Sequence, residues 1–124
     1  GLSYTTFGFS APTSRGCTGF ALCVDATVTN TGATPAATVV QAYVDLGPAA
    51  AHPAPLLKGF RKTALLQPKQ AEALTFQLTA RDVSYYDAAA AKWVQAQVAK
   101  VLIGASSSDI KGQTTFTLDA VEQA

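Results

Sequence analysis

The sequence predicts an all-β protein, a two-sheet antiparallel sandwich of about seven strands. Three observations predict it. Apolar residues alternate with others over short runs, as in Phe20, Leu22, Val24, Ala26 and Val28, which is the period-two pattern of a half-buried strand. Turn residues punctuate the runs at intervals suited to short strands. The chain contains no internal repeat, which favours a sandwich over a solenoid or propeller.

The elements follow in order. Residues 3–9 read as a first strand, with Tyr4 and Phe7 as anchors, and 12–19 as a loop. Residues 20–28 form the alternating strand, which stops at Asn30-Thr31-Gly32, where Asn and Gly tolerate a positive φ. Residues 37–45, rich in Val and Tyr, are the next strand. Residues 46–55 are crowded with Pro and Ala and cannot donate a continuous ladder, so they read as loop or edge. Strands at 57–65 and 71–78 flank Gln67-Pro68-Lys69. Residues 81–86 read as a turn or single helical turn. Residues 88–91 are all alanine, with high helix propensity, but too short for a helix in β surroundings, so a loop is expected. A strand lies within 93–103 and another at 113–118, with Lys111-Gly112 as their hairpin turn. Val24, Val28, Val40 or Val39, Phe76, Trp93 and Ile103 are expected to share one core.

The chain has 124 residues and a net charge of +1. That length fits one domain, 1–124, able to bury roughly two-thirds of its unfolded surface. Sparse, balanced charge argues against nucleic acid or an anionic membrane as partner. The loose cluster Lys58, Arg61 and Lys62 reads as a solvated strand face. No apolar run is long enough to span a bilayer as a helix. The one asparagine, Asn30, is followed by Thr31-Gly32, so it forms no glycosylation sequon.

Few residues offer chemistry. Glycoside hydrolysis needs two carboxylates facing each other at roughly 5–9.5 Å. The acids Asp25, Asp45, Glu72, Asp82, Asp87, Asp109, Asp119 and Glu122 fall mostly on outward positions or turns, and Asp82 is placed to cap its turn. No catalytic pair is expected. His52 is the sole histidine and has no companions for a metal site. Ser106-Ser107-Ser108 lacks the Gly-x-Ser-x-Gly elbow of a nucleophile. Neither cofactor nor metal is expected. Trp93 reads as core rather than as a sugar platform. Tyr85 or Tyr86 stands where a sandwich places a tyrosine corner, its hydroxyl tied to the backbone.

Several motifs occur in a particular order: Gly1-Leu2-Ser3-Tyr4-Thr5, then Val28-Thr29-Asn30-Thr31-Gly32, then Val39-Val40-Gln41-Ala42-Tyr43-Val44. Leu57-Lys58-Gly59-Phe60, Asp82-Val83-Ser84-Tyr85-Tyr86-Asp87, Trp93 and Ile103-Gly104-Ala105-Ser106-Ser107-Ser108-Asp109-Ile110 complete the series. Together they resemble the fibronectin type III-like domain at the C-terminal end of many glycoside hydrolase family 3 enzymes, mostly β-glucosidases and β-xylosidases. Two departures stand out. Pro68-Lys69 replaces a usual Pro-Gly, and Ala96-Gln97-Val98-Ala99 replaces a usual Pro-Gly and aromatic.

The resemblance implies an immunoglobulin/fibronectin type III-like sandwich and a secreted, extracellular parent enzyme. The catalytic residues of such enzymes lie in preceding domains, so none is carried over to this chain. A start at Gly1 inside a motif agrees with a piece cut from a longer glycosidase. The implied role is accessory: packing against the catalytic domains, stabilising them, and contacting polymeric substrate. The alternative is a carbohydrate- or cell-wall-polymer-binding module, which exposed coplanar aromatics would favour. A free-standing enzyme is the remaining reading. Leu2, Tyr4 and Phe7 are the expected docking residues, because they lie where the chain would leave the catalytic region.

Cys17 and Cys23 are the only cysteines. Fully extended, the segment would hold them roughly 20 Å apart, so a bridge requires the chain to fold back. Flanking Gly16 and Gly19 allow that fold. A secreted parent makes a disulfide the expected state, against two free thiols.

Overall fold

The computed structural model describes residues 6–50 and 54–118. Ten strands lie within them: β1 (Phe7–Phe9), β2 (Thr13–Arg15), β3 (Leu22–Asn30), β4 (Val39–Asp45), β5 (Leu56–Lys62), β6 (Ala71–Leu78), β7 (Ser84–Asp87), β8 (Lys92–Gln95), β9 (Val98–Ser106) and β10 (Asp109–Thr117). All pairings are antiparallel. The sequence led us to expect about seven strands. The excess comes from the short β2 and from the hairpin β7–β8.

β3 is the axis of the first sheet. One edge pairs with β6 over Leu22 to Thr29. The other is shared end to end by β1, opposite Val28 to Asn30, and β2, opposite Cys23 to Asp25. The break between β1 and β2 has a local cause. Pro12 has no N–H to give the ladder. At Ser10, the backbone N–H donates to the Thr27 carbonyl (2.9 Å), while the Ser10 hydroxyl accepts the Thr27 N–H (2.8 Å).

The second sheet runs β10–β9–β4–β5. Between the sheets lie Leu22, Val24, Ala26 and Val28 of β3, Leu74, Phe76 and Leu78 of β6, Val40, Ala42 and Val44 of β4, and Ala99, Val101 and Ile103 of β9, all buried. Alternation predicted this layer because successive side chains of a strand point to opposite faces. The register selects Val40 for the core, and Val39 is 39% exposed.

Three expectations need correcting. Trp93 is not in the core; it is 50% exposed. It sits on β8, opposite Tyr86, in a two-stranded hairpin that belongs to neither sheet. Tyr85 is half-buried and Tyr86 exposed, and neither hydroxyl is tied to backbone among the described residues, so the expected tyrosine corner is not formed. Lys111-Gly112 is not the hairpin turn. The turn is Ser107-Ser108, and β10 already runs from Asp109, with register shifts up to Gly112. Gly104 permits this tight return, because a Cβ there would lie 2.4 Å from the Asp109 carbonyl oxygen.

The sheets are tied at one end by Asn30, which is fully buried. Its Nδ2 donates to the carbonyls of Thr34 and Leu66, both at 2.9 Å. Its Oδ1 accepts the Gly32 N–H at 2.9 Å. Its main chain donates to Gln70 and accepts from Lys69. Lys69 stands at φ 70°, the left-handed geometry that glycine adopts most easily and where the resemblance leads us to expect Gly.

Asn30→Ala removes three hydrogen bonds, one buried and two part-buried, and takes these partners from the Thr34 carbonyl and the Gly32 N–H, while the Leu66 carbonyl keeps the Ala36 N–H. Each group left without its partner costs about 1–3 kcal/mol. Urea unfolding is expected to show a loss of at least about 2 kcal/mol. A loss under about 0.5 kcal/mol contradicts the tie.

Candidate docking surface

Phe7, the one expected docking residue within the described part, lies on β1 half-buried and packed against the core. Its ring serves the sandwich itself. Leu2 and Tyr4 lie outside the described residues, as do His52, Asp119 and Glu122. Cys17 and Cys23 are joined in a disulfide, S–S 2.03 Å. The fold-back is the turn in which Phe20 N–H donates to the Cys17 carbonyl (3.3 Å), with Gly19 at φ 87°.

The conspicuous surface lies elsewhere, on the outward face of the second sheet. Paired residues of antiparallel strands point to the same face. Leu102 of β9, Tyr43 of β4 and Leu57 of β5 therefore stand side by side across three strands. Phe60 sits beside Gln41 in the next row, and the Tyr43 hydroxyl donates to the Gln41 side-chain oxygen. Leu57 is 50% exposed and Phe60 68%. A solvent-facing sheet surface normally reads polar, so this row is an apolar departure.

A bulge creates it. Ala42 faces Gly59 and Tyr43 faces Leu57, leaving Lys58 unpaired. Strict alternation would put Leu57 and Phe60 on opposite faces; the extra residue puts both outward. Gly59 then points inward, where a Cβ would sit 3.3 Å from the Phe76 ring. Beside the Asp45 end of this face lies an open groove of about 740 Å3, bordered by Asp45, Tyr85, Val94, Lys100, Gln113 and Thr115.

The aromatics at the hairpin are arranged differently. Tyr86 and Trp93 meet edge to face, centroids 5.8 Å apart and planes at 82°. The Arg81 guanidinium carbon lies 3.9 Å from the Trp93 ring centroid. The rings are not coplanar, and one face of the indole carries a cation.

The described carboxylates have local work. Asp25 accepts from Arg15 Nε at 2.7 Å and from the Thr75 hydroxyl at 2.6 Å. Asp45 accepts the Gly47 N–H, Glu72 the Ala64 N–H, and Asp87 the N–H groups of Ala89 and Ala90. Asp82 and Thr79 cap each other reciprocally at 2.9 and 3.2 Å. Asp109 pairs with Lys111 at 3.1 Å. The hydrogen bond from Arg15, then that from Thr75, holds the Asp25 carboxyl below the usual carboxylate range, against a small opposing cost of burial. No group of three or more His, Cys, Asp or Glu able to hold a metal ion occurs among the described residues. No helix among them is long and apolar enough to cross a membrane.

Two predictions follow from these positions. Trp93→Ala loses an exposed cation–π contact and an edge contact, each worth about 0.5–1.5 kcal/mol. Its cost in urea unfolding should stay well below that of Ile103→Ala, about 2–5 kcal/mol for a buried side chain; equal costs would return the indole to the core. The Asp25 carboxylate has a lowered folded pKa. It therefore adds stability that is present above its unfolded value, about 3.9, and lost as pH falls through the folded value. In thermal scans, Asp25→Asn is expected to lie below wild type at pH 7 by a small margin, as for exposed pairs. That margin should close below about pH 4. A margin constant down to pH 2 contradicts the assignment.

Comparison with known proteins shows what this fold resembles. The family model for the fibronectin type III-like domain matches residues 38–107. A probable β-glucosidase D of Aspergillus niger is 37% identical over 95% of this chain, which covers 18% of that protein. The crystal structure of a family GH3 β-glucosidase of Bifidobacterium adolescentis matches the whole chain with a TM-score of 0.84 and 39% identity, over 18% of its own length. A β-glucosidase of Streptomyces venezuelae, in complex with D-glucose, matches 96% of the chain with a TM-score of 0.81 and 33% identity, over 16% of its length. The chain thus spans less than a fifth of each of these relatives.

Proposed function

We infer from one premise, that the chain belongs to the fibronectin type III-like domain family, that it serves as a non-catalytic accessory domain of a β-glycosidase. In this reading the 124 residues form one domain of a longer polypeptide, packed against the catalytic domains and stabilising them. The observation that carries it is the lopsided coverage: nearly all of this chain matches, against 18% of the β-glucosidases it resembles. The carboxylates support it. Each described one is engaged by a neighbouring N–H, hydroxyl or cation rather than standing free across a cleft. The Cys17–Cys23 disulfide supports an oxidising, extracellular setting for the parent.

A second reading, binding of a polysaccharide or cell-wall polymer, draws on the exposure of Tyr86 and Trp93. Their 82° crossing offers a flat sugar face one ring at a time.

The test is made on the full-length polypeptide encoded around this chain. Deleting the domain is expected to lower the thermal midpoint or soluble yield. The isolated chain is expected to release no nitrophenol from aryl β-glucoside or β-xyloside. If deletion leaves stability and small-substrate turnover intact but abolishes retention on insoluble polysaccharide, the binding-module reading replaces this one. Turnover by the isolated chain that is lost on changing one Asp or Glu contradicts both.

A further inference from the structure

We infer that the outward face built from Leu57, Phe60, Tyr43 and Leu102 is the surface by which this domain seats on the catalytic part of its glycosidase, and that it meets there an apolar patch rimmed by carboxylates. The inference rests on the accessory-domain reading and adds the site and the chemistry of its partner.

The exposed area is built, not incidental. A one-residue bulge at Lys58 brings Leu57 and Phe60 onto one face. An inward Gly59 closes the strand onto Phe76, so the backbone lies low and the two side chains stand proud. Contiguous apolar surface of this kind marks an interaction site. Phe60, at 68% exposed, presents a large ring that loses little rotamer freedom on burial, as interface anchors do.

Charge selects the occupant. β5 reads Leu56-Leu57-Lys58-Gly59-Phe60-Arg61-Lys62 and carries three cations and no acid. It is also the edge of its sheet, where lysines deter strand-to-strand pairing. Two copies of this chain meeting through β5 would oppose like charges, so a second copy fits poorly. Arg61 donates through Nε to the Thr75 carbonyl at 3.2 Å, whereas Lys58 and Lys62 make no ion pair among the described residues. A partner with an apolar centre and acidic margin satisfies both the rings and the lysines. The solved β-glucosidases hold this fold within chains more than five times its length, so a partner surface in the same polypeptide has the advantage of a high effective concentration. Phe7 is already engaged by the domain's own core, whereas Leu57 and Phe60 stand exposed.

The test uses the full-length glycosidase and four forms of its domain. Leu57→Asp with Phe60→Asp is expected to lower the thermal midpoint as far as domain deletion does, while the isolated 124-residue chain carrying the same pair keeps its own midpoint. Leu57→Thr with Phe60→Thr, which places β-branched residues suited to a strand, should act in the same direction and guards against misfolding of the charged pair. Lys58→Glu with Lys62→Glu should lower the midpoint at low salt, with the loss fading towards 1 M salt. Tyr86→Asp, at the hairpin, loses only its edge contact with Trp93 and should lower the midpoint far less than the Leu57/Phe60 pairs. If deletion destabilises but both Leu57/Phe60 pairs behave as wild type, this face is not the seat and the accessory reading stands. If only the lysine pair is silent, the acidic margin is overturned. If deletion itself has no effect, the accessory reading fails.

Discussion

One buried amide holds the frame on which the rest depends. Asn30 ends the central strand of the first sheet, and its side chain reaches the segments that lead into β4 and out of β5 in the second. Both Nδ2 hydrogens and the Oδ1 oxygen are engaged, which offsets the cost of burying a polar group. Apolar packing between the sheets is non-directional and would tolerate sliding. The amide is directional and fixes how the sheets meet. The β4–β5 pair lies between the two segments that Asn30 holds, and its bulge at Lys58 sets Gly59 against Phe76. The outward placement of Leu57 and Phe60 comes from that bulge.

Much of the frame was legible because burial on one face imposes a period of two. β6 occupies the predicted residues 71–78, and β3 and β4 fall within two residues of expectation. The failures have a common source in residues that break that period. At 57–60 the alternation is interrupted by the bulge, so the sequence shows Leu57 and Phe60 on opposite faces when they share one. At 109–112 register shifts again intervene, and Lys111-Gly112 imitates a turn that belongs to Ser107-Ser108. A Gly that cannot bear a Cβ, Gly104, was the available signal, but its cause is a through-space contact with Asp109.

Trp93 was misread for another reason. Size and hydrophobicity place an indole in a core by default, yet the interior between the two sheets is already filled by Val, Leu, Ile and one Phe. The hairpin that carries Trp93 lies off both sheets, and its ring is completed by Arg81 and Tyr86. The expected docking residues Leu2, Tyr4 and Phe7 are apolar residues at a chain boundary, and Leu2 and Tyr4 lie outside the described residues. Phe7 is taken by β1's packing against the core, while exposure, which decides a docking surface, depends on topology that local sequence does not carry.

On the accessory-domain reading, function rests on surfaces rather than reacting groups. The most direct measurement is hydroxyl-radical footprinting of the isolated chain and of the full-length polypeptide, comparing side-chain oxidation at Phe60 and Trp93. The account predicts that Phe60 is oxidised readily in the isolated chain and protected in the full-length protein, with Trp93 reactive in both. Equal oxidation of Phe60 in the two forms, with protection appearing at Trp93 instead, would contradict it.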